Sequence, residues 1–361
     1  MPTPLTDTAE LESLVQALCR SEAVGIDTEF MRERTYYAQL CLLQLADTEH
    51  SACVDTLALQ DLSPLRSLLA NAKVCKILHA ARQDLEVLWP TAGAVRNVFD
   101  TQVAAGLIGL PAQIGYGDLV ARLLGIQLHK GQTRTDWSRR PLSPEQLQYA
   151  IEDVLHLPPL RLRLLEELTQ RGRLSWFEQD SAALDAASTS FEVNPEEAWQ
   201  RLKGISELDE GRIRLARLLA GWRERRAMAA NRPRGWILPD PALREIVQRV
   251  PRSMAELERI QDLPEGIRDR SGAQLLGLVS EAALADPLPP LPQRRRPDGE
   301  RIATIERLAQ VARQVAGQLQ IAPELLVTRR QLERLADGDR EASALTGWRR
   351  EIIGEPLLAA L

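Results

Sequence analysis

Residues 24–30 read VGIDTEF. Val24, Gly25 and Ile26 suit a buried strand, yet two carboxylates, Asp27 and Glu29, follow within the same run. Side chains alternate faces along a strand, so positions two apart point the same way. Asp27 and Glu29 are therefore expected side by side on one face, where like charges raise one another's pKa and resist burial. A bound cation is the simplest compensation, and it directs the search for further ligands along the chain.

The segments around this strand alternate between strand and helix patterns. Residues 8–20 form an amphipathic helix before it. The apolar runs at 38–47 and 51–56, joined by the turn-rich DTEH, extend it into an antiparallel meander. KVCKILHA (73–80) reads as a strand running into the helix ARQDLEVLWP, and AVRNVFDTQVAAGLIG as a short strand turning into another. Such interleaving points to an α/β domain with a mixed central sheet. The segment starting at LSPEQLQYAIEDV has the clearest helical pattern. Ser143 caps it, Pro144 occupies its first position and Gln146 closes a capping box, while Pro158 and Pro159 interrupt it. From about residue 196 the pattern is helical throughout, as two all-α modules at 196–285 and 301–361. They are separated by DPLPPLPQRRRPDGE (286–300), which reads as a linker.

Composition narrows the function. The 361 residues are 44% hydrophobic and 26% charged, which suits a folded chain of more than one domain. No window approaches a membrane span, and the N-terminus lacks the basic and apolar regions of a signal peptide. The four cysteines have no CxxC spacing, which excludes a zinc site or disulfide framework of the usual kind and favours a reduced, cytoplasmic setting. Residues 1–190 carry 17 basic and 24 acidic side chains, and residues 191–361 carry 28 and 26. An acidic half with a carboxylate site, joined to a half with clustered arginines such as RIRLARLLAGWRERRA, suits a metal enzyme that grips a polyanion elsewhere. Arginines that only solvate helix faces would give the same composition.

Two later acids fall in suggestive places. Asp84 follows the apolar strand KVCKIL at the start of a helix, where it also suits the N-terminal turn. Asp153 lies four residues after Tyr149, so the phenol and the carboxylate share one helix face. Mg²⁺ and Mn²⁺ take carboxylate and water oxygens, and this chain offers carboxylates rather than a histidine or thiolate cluster.

GIDTEF, HAARQDLEVL and YAIEDV together resemble the three motifs of the DEDD exonuclease superfamily, in its tyrosine-bearing DEDDy branch. KGQTRTDWSRRPLSPEQLQYAIEDV (130–154) resembles the approach to the third motif in the ribonuclease D family. The resemblance covers about residues 1–190, a ribonuclease-H-like exonuclease domain. LARLLAGWRERRAMAANRPRGWILPDPALREIV (215–247) is similar to an HRDC domain, and the 301–361 module is assigned as HRDC-like partly from the domain order.

The resemblance implies two-metal hydrolysis. Asp27, Glu29 and Asp153 would hold one divalent ion, Mg²⁺ or Mn²⁺, with Asp27 and Asp84 holding a second and Tyr149 orienting the attacking water. 5′-Mononucleotides would leave the 3′ end of RNA, with tRNA precursors as substrates, and neither a membrane nor an obligatory protein partner is inferred. Phe30 is a candidate for stacking on the terminal base, and His79, Lys130, Arg134, Arg139 and Arg140 for contacts with the substrate backbone. Trp137 is assigned to packing. A DNA-directed exonuclease with the same chemistry is the alternative, because the metals act on phosphate. The domain order, without a GxxxxGK[ST] loop, favours RNA. A non-enzymatic binding scaffold would have lost one of the five motif residues, and none is replaced.

Overall fold

The computed structural model describes residues 3–128, 135–188, 191–205, 208–284 and 299–361. The chain divides into two compact units. The first comprises Met1–Met31, Leu40–Phe191 and Pro297–Leu361, and the second Arg32–Gln39 with Glu192–Arg296. The expected residues Lys130 and Arg134 lie outside the described residues, as does most of the expected linker. Gly299 and Glu300, included in that linker, already belong to a helix.

The first unit is built on a five-stranded sheet of β1 (Ala23–Met31), β2 (Gln39–Ala46), β3 (Ser51–Val54), β4 (Cys75–Leu78) and β5 (Val98–Asp100), in the order β3-β2-β1-β4-β5. β4 runs parallel to β1, with Ala23 opposite Cys75 and Gly25 opposite Ile77, and β5 runs parallel to β4. β2 and β3 are antiparallel, with Leu43 opposite Val54, so the sheet is mixed. The acid-bearing strand VGIDTEF is thus the central one. Its apolar residues Val24 and Ile26 are buried, and the two acids come where burial gives way.

Among the described residues, eight helices belong to this α/β domain: α1 (Thr8–Leu18), α2 (Leu65–Leu69), α3 (Arg82–Ala92), α4 (Thr101–Leu107), α5 (Tyr116–Leu124), α6 (Pro144–Leu155), α7 (Leu157–Gln170) and α8 (Leu174–Ala187). Their ends follow local chemistry. Asp7 caps α1 and Asp100 caps α4. Gly125 ends α5 in the left-handed conformation that glycine adopts without strain. The Ser143–Gln146 capping box starts α6. His156 separates α6 from α7, whose first turn takes the proline that cannot continue α6.

The second unit is helical: α9 (Glu210–Ala230), α10 (Arg234–Ile237), α11 (Asp240–Arg249), α12 (Met254–Leu257) and α13 (Glu265–Leu284), around a core that includes Leu215, Leu219, Leu243, Ile246 and Leu275. Several arginines of the α9 run are engaged within the unit. Arg223 donates to Asp240 at 2.5 Å, Arg225 pairs with Glu196, and Arg217 lies over the Trp199 ring at 4.8 Å. They therefore do more than solvate a helix face.

The C-terminal helices are α14 (Gly299–Leu319), α15 (Pro323–Leu326), α16 (Arg329–Ala336), α17 (Gly347–Arg349) and α18 (Glu355–Ala359). They share one core with the α/β domain, in which Leu308, Ala316 and Leu326 join Ala104, Leu160 and Phe177. Trp348 stacks on Trp176 of α8 with centroids 4.5 Å apart and donates its indole N–H to Asp180 at 3.0 Å. Arg349 grips the same carboxylate with two bonds of 2.6 and 2.9 Å. Gly-Trp-Arg occurs at 221–223 and again at 347–349, with different uses: Arg223 braces its own helical unit, and Arg349 braces α17 against the α/β domain.

Candidate active site

Three carboxylates meet at the end of the central strand. One ligand oxygen each from Asp27, Glu29 and Asp153 lies within 4.8 Å of the others. Asp27 and Glu29 come from one face of β1. Asp153 is delivered by α6, and Gly25 is what lets α6 and α7 approach. A Cβ on Gly25 would stand 3.0 Å from both the Leu157 Cβ and the Val154 carbonyl oxygen, too tight for either to tolerate without moving.

Asp84, in the first turn of α3 and 8% exposed, lies outside that three-carboxylate group but close enough to raise both Asp27 and Glu29. The buried Thr28 hydroxyl donates to its Oδ1 at 2.5 Å. Alternation turns Thr28 away from the face shared by Asp27 and Glu29, so it ties α3 to β1 from the other side. Sequence reasoning passed over Thr28, although its position between the two acids is the signal that could have marked it.

The electrostatics are one-sided. Burial and then the neighbouring carboxylates Asp84, Asp153 and Glu29 push Asp27 well above the usual range. Burial, Asp153 and Asp84 push Glu29 to about 8. Burial raises Asp153 to about 7 against the hydrogen bond donated by Tyr149, and raises Asp84 to about 6 against that from Thr28. Among the described residues no lysine or arginine pairs with any of the four. A desolvated, all-carboxylate cluster without a counterion fits a hard divalent cation.

Tyr149 sits one turn before Asp153 and hydrogen-bonds to it; burial and the nearby carboxylates raise its phenol pKa, so it stays protonated at neutral pH. Trp137 is buried with Cys41, Leu147 and Ile151 and lies 6.3 Å from the Tyr149 ring, so it supports the tyrosine by packing.

A cleft of about 540 Å³ opens beside Asp84, lined by Thr28, Phe30, His79, Arg82 and Gln102 among others. Phe30 is half-buried there. Both His79 ring nitrogens are engaged inside the protein, Nε2 with the Ile114 carbonyl and Nδ1 with the Thr101 hydroxyl, each at 2.9 Å. Burial also lowers its pKa, so it lines the cleft as a neutral ring without an N–H left for a phosphate. Tyr116, which the sequence did not single out, packs edge-on to His79 and donates to the Glu152 carbonyl at 3.1 Å, next to Asp153.

The loop arginines separate. Arg139 has 84% of its side chain exposed and only a local pair with Asp136. Arg140 corrects the expectation of a substrate contact. All five of its N–H donors are used internally: two on the buried Asp55 at 2.6 and 2.7 Å, and three on the carbonyls of Trp137, Arg139 and Cys41 at 2.8 Å each. A guanidinium so occupied holds the loop and offers nothing to a phosphate.

Comparison with known proteins gives the family. Residues 2–169 match the 3′-5′ exonuclease family model and residues 213–279 the HRDC domain model. The chain is 38% identical to ribonuclease D of Nitrobacter hamburgensis, over 98% of this chain and 94% of that one. It is 39% identical to ribonuclease D of Gluconacetobacter diazotrophicus, over 99% and 92%. The crystal structure of Escherichia coli RNase D, described as an exoribonuclease involved in structured RNA processing, superposes with a TM-score of 0.92 at 31% identity, covering 100% of this chain and 98% of that one. At this identity and coverage, the chain belongs to the ribonuclease D family, and with it to the hydrolytic 3′-5′ exoribonucleases that use divalent metal.

Proposed function

We infer that this enzyme trims extra 3′ nucleotides from structured RNAs, tRNA precursors among them, releasing 5′-mononucleotides in a cytoplasmic setting. The observation that carries the reading is the uncompensated carboxylate cluster at the end of β1. Asp27, Glu29 and Asp153 are assigned to one divalent ion and Asp27 with Asp84 to a second, Mg²⁺ or Mn²⁺. When bound, such ions acidify a water and neutralise charge on the attacking and leaving oxygens of an in-line displacement.

The chain's own residues do the rest. Thr28 fixes the carboxylate of Asp84, and Tyr149 fixes that of Asp153, through one hydrogen bond each. The Tyr149 phenol keeps its proton and gives it to Asp153 in a hydrogen bond, so its oxygen is left to accept from and orient the attacking water, and the phenol is not the base. The cleft beside Asp84 receives the terminal nucleotide, with Phe30 as an apolar surface for its base.

The test is stepwise degradation of a 3′-extended tRNA precursor beside matched single-stranded DNA, in Mg²⁺, Mn²⁺ or EDTA. Shortening of the RNA that needs metal and Asp27, with the DNA intact, is the expected result. Equal loss of DNA would move the assignment to a nuclease without sugar preference, and no shortening of either would remove the assignment.

A further inference from the structure

The second unit presents two aromatic rings to solvent. Trp236 is 55% exposed and Tyr37 is 43% exposed. Both project from a braced corner. Residues 32–39 belong to this unit, and Asn231, in the left-handed conformation with φ of 45°, accepts the backbone N–H groups of Tyr36 and Tyr37 at 3.1 Å each. Tyr36 donates its hydroxyl to the buried Glu224, and Arg234 bonds the same carboxylate twice at 2.6 Å while covering the Tyr36 ring at 4.9 Å. Arg223 then holds the Leu238 carbonyl at 3.1 Å, so the turn carrying Trp236 is pinned before and after it. The Tyr36 and Tyr37 rings meet edge to face at 4.9 Å.

The charge on these segments is mostly positive. Residues 32–39 and 225–236 contain six arginines and one carboxylate, Glu33, in a chain whose net charge is −5. Arg225 and Arg234 are paired with Glu196 and Glu224. Arg34 and Arg232 have no ion-pair partner among the described residues. Half-exposed rings with exposed, unneutralised arginines three residues before Tyr37 and four before Trp236 suit unpaired bases, which stack, and their phosphates, which need cations. An apolar protein partner would account for the rings and leave the arginines unexplained.

We propose that Tyr37 and Trp236, with Arg232 and Arg34, form a stacking platform for unpaired bases of RNA on the helical unit. This rests on the RNA reading above. Because the rings carry no hydrogen-bond code, the platform accepts any base and confers length dependence rather than sequence preference.

The test is anisotropy of 5′-labelled 20-nucleotide polyuridylate on the full-length chain, in EDTA so that the RNA stays intact. Trp236→Ala and Tyr37→Ala are each expected to weaken binding about ten-fold. Trp236→Leu should match the alanine variant, whereas Trp236→Phe should stay within about two-fold of wild type, because a ring and not bulk is needed. Arg232→Ala should lower the salt slope by about one. Melting temperatures check that the variants are folded.

Wild-type affinity in the alanine and leucine variants, or loss in the phenylalanine variant equal to that in alanine, would overturn the platform. So would self-association of the wild type that Trp236→Ala abolishes while RNA binding is unchanged, since the patch would then be a protein interface. The same preparations, given Mg²⁺ and a 3′-extended RNA or DNA, separate the two readings. RNA shortened by the wild type with variant binding unchanged removes only the platform. A wild type that neither binds nor shortens RNA but degrades DNA removes both.

Discussion

Two buried groups of charges in this molecule answer the same problem in opposite ways. In the helical unit Glu224 is 1% exposed, yet Arg234, Arg201 and the Tyr36 hydroxyl surround it. Burial pushes its pKa up, but those partners hold it below the ordinary glutamate value. At the end of β1 four carboxylates share one site with no cationic side chain among the described residues, and all four are raised. The first arrangement is complete within the chain. The second is left uncompensated by the chain, and that asymmetry is what the proposed metal site rests on.

The largest expected effect breaks the second arrangement. Asp27→Asn should reduce RNA shortening by about 10³-fold or more, measured with radiolabelled substrate in Mg²⁺, because a ligand assigned to both ions is lost. Glu224→Ala should break the first, destabilising the helical unit by about 3–5 kcal/mol in urea titration, since two arginines and a phenol lose their buried partner. Gly25→Ala sits between fold and site. The added methyl must move α6 or α7 away from β1, costing about 1–3 kcal/mol and lowering activity through misplacement of Asp153, read as a fall in kcat.

The pH dependence sharpens the contrast. Unfolded carboxylates ionise near pH 4, whereas Glu29 and Asp153 hold their protons to about 8 and about 7 in the fold. Between those limits the folded state binds more protons, so in EDTA stability falls as pH rises from about 4 to 8. Melting temperature in EDTA should drop by about 5 °C across that window, and Mg²⁺ should restore most of the loss above pH 7. The smallest effect is expected for Arg139→Ala, within about 0.5 kcal/mol in the same titration.

The sequence showed how Asp27 and Glu29 share a face, because strand alternation is a local rule. It also showed how Tyr149 and Asp153 share a turn. The α/β class, the mixed sheet and the capping box of α6 were legible for the same reason. Contacts between residues distant in the chain were not. Arg140 reads as a free cation in a basic loop until Asp55, 85 residues earlier, is found against it. Thr28 reads as a strand filler until α3 brings Asp84 to its hydroxyl. That Trp348 stacks on Trp176, and that residues 32–39 belong to the helical unit, depends on tertiary packing that no periodicity encodes.

The most direct measurement is the melting temperature of wild type and Asp27→Asn at pH 8, each in EDTA and in Mn²⁺. If the carboxylates are gathered to hold metal, Asp27→Asn melts above wild type in EDTA, because a repelling charge is gone, and below it in Mn²⁺, because its ion is gone. A wild type indifferent to Mn²⁺, with Asp27→Asn less stable than wild type in EDTA, would contradict the account and make the cluster an element of the fold alone.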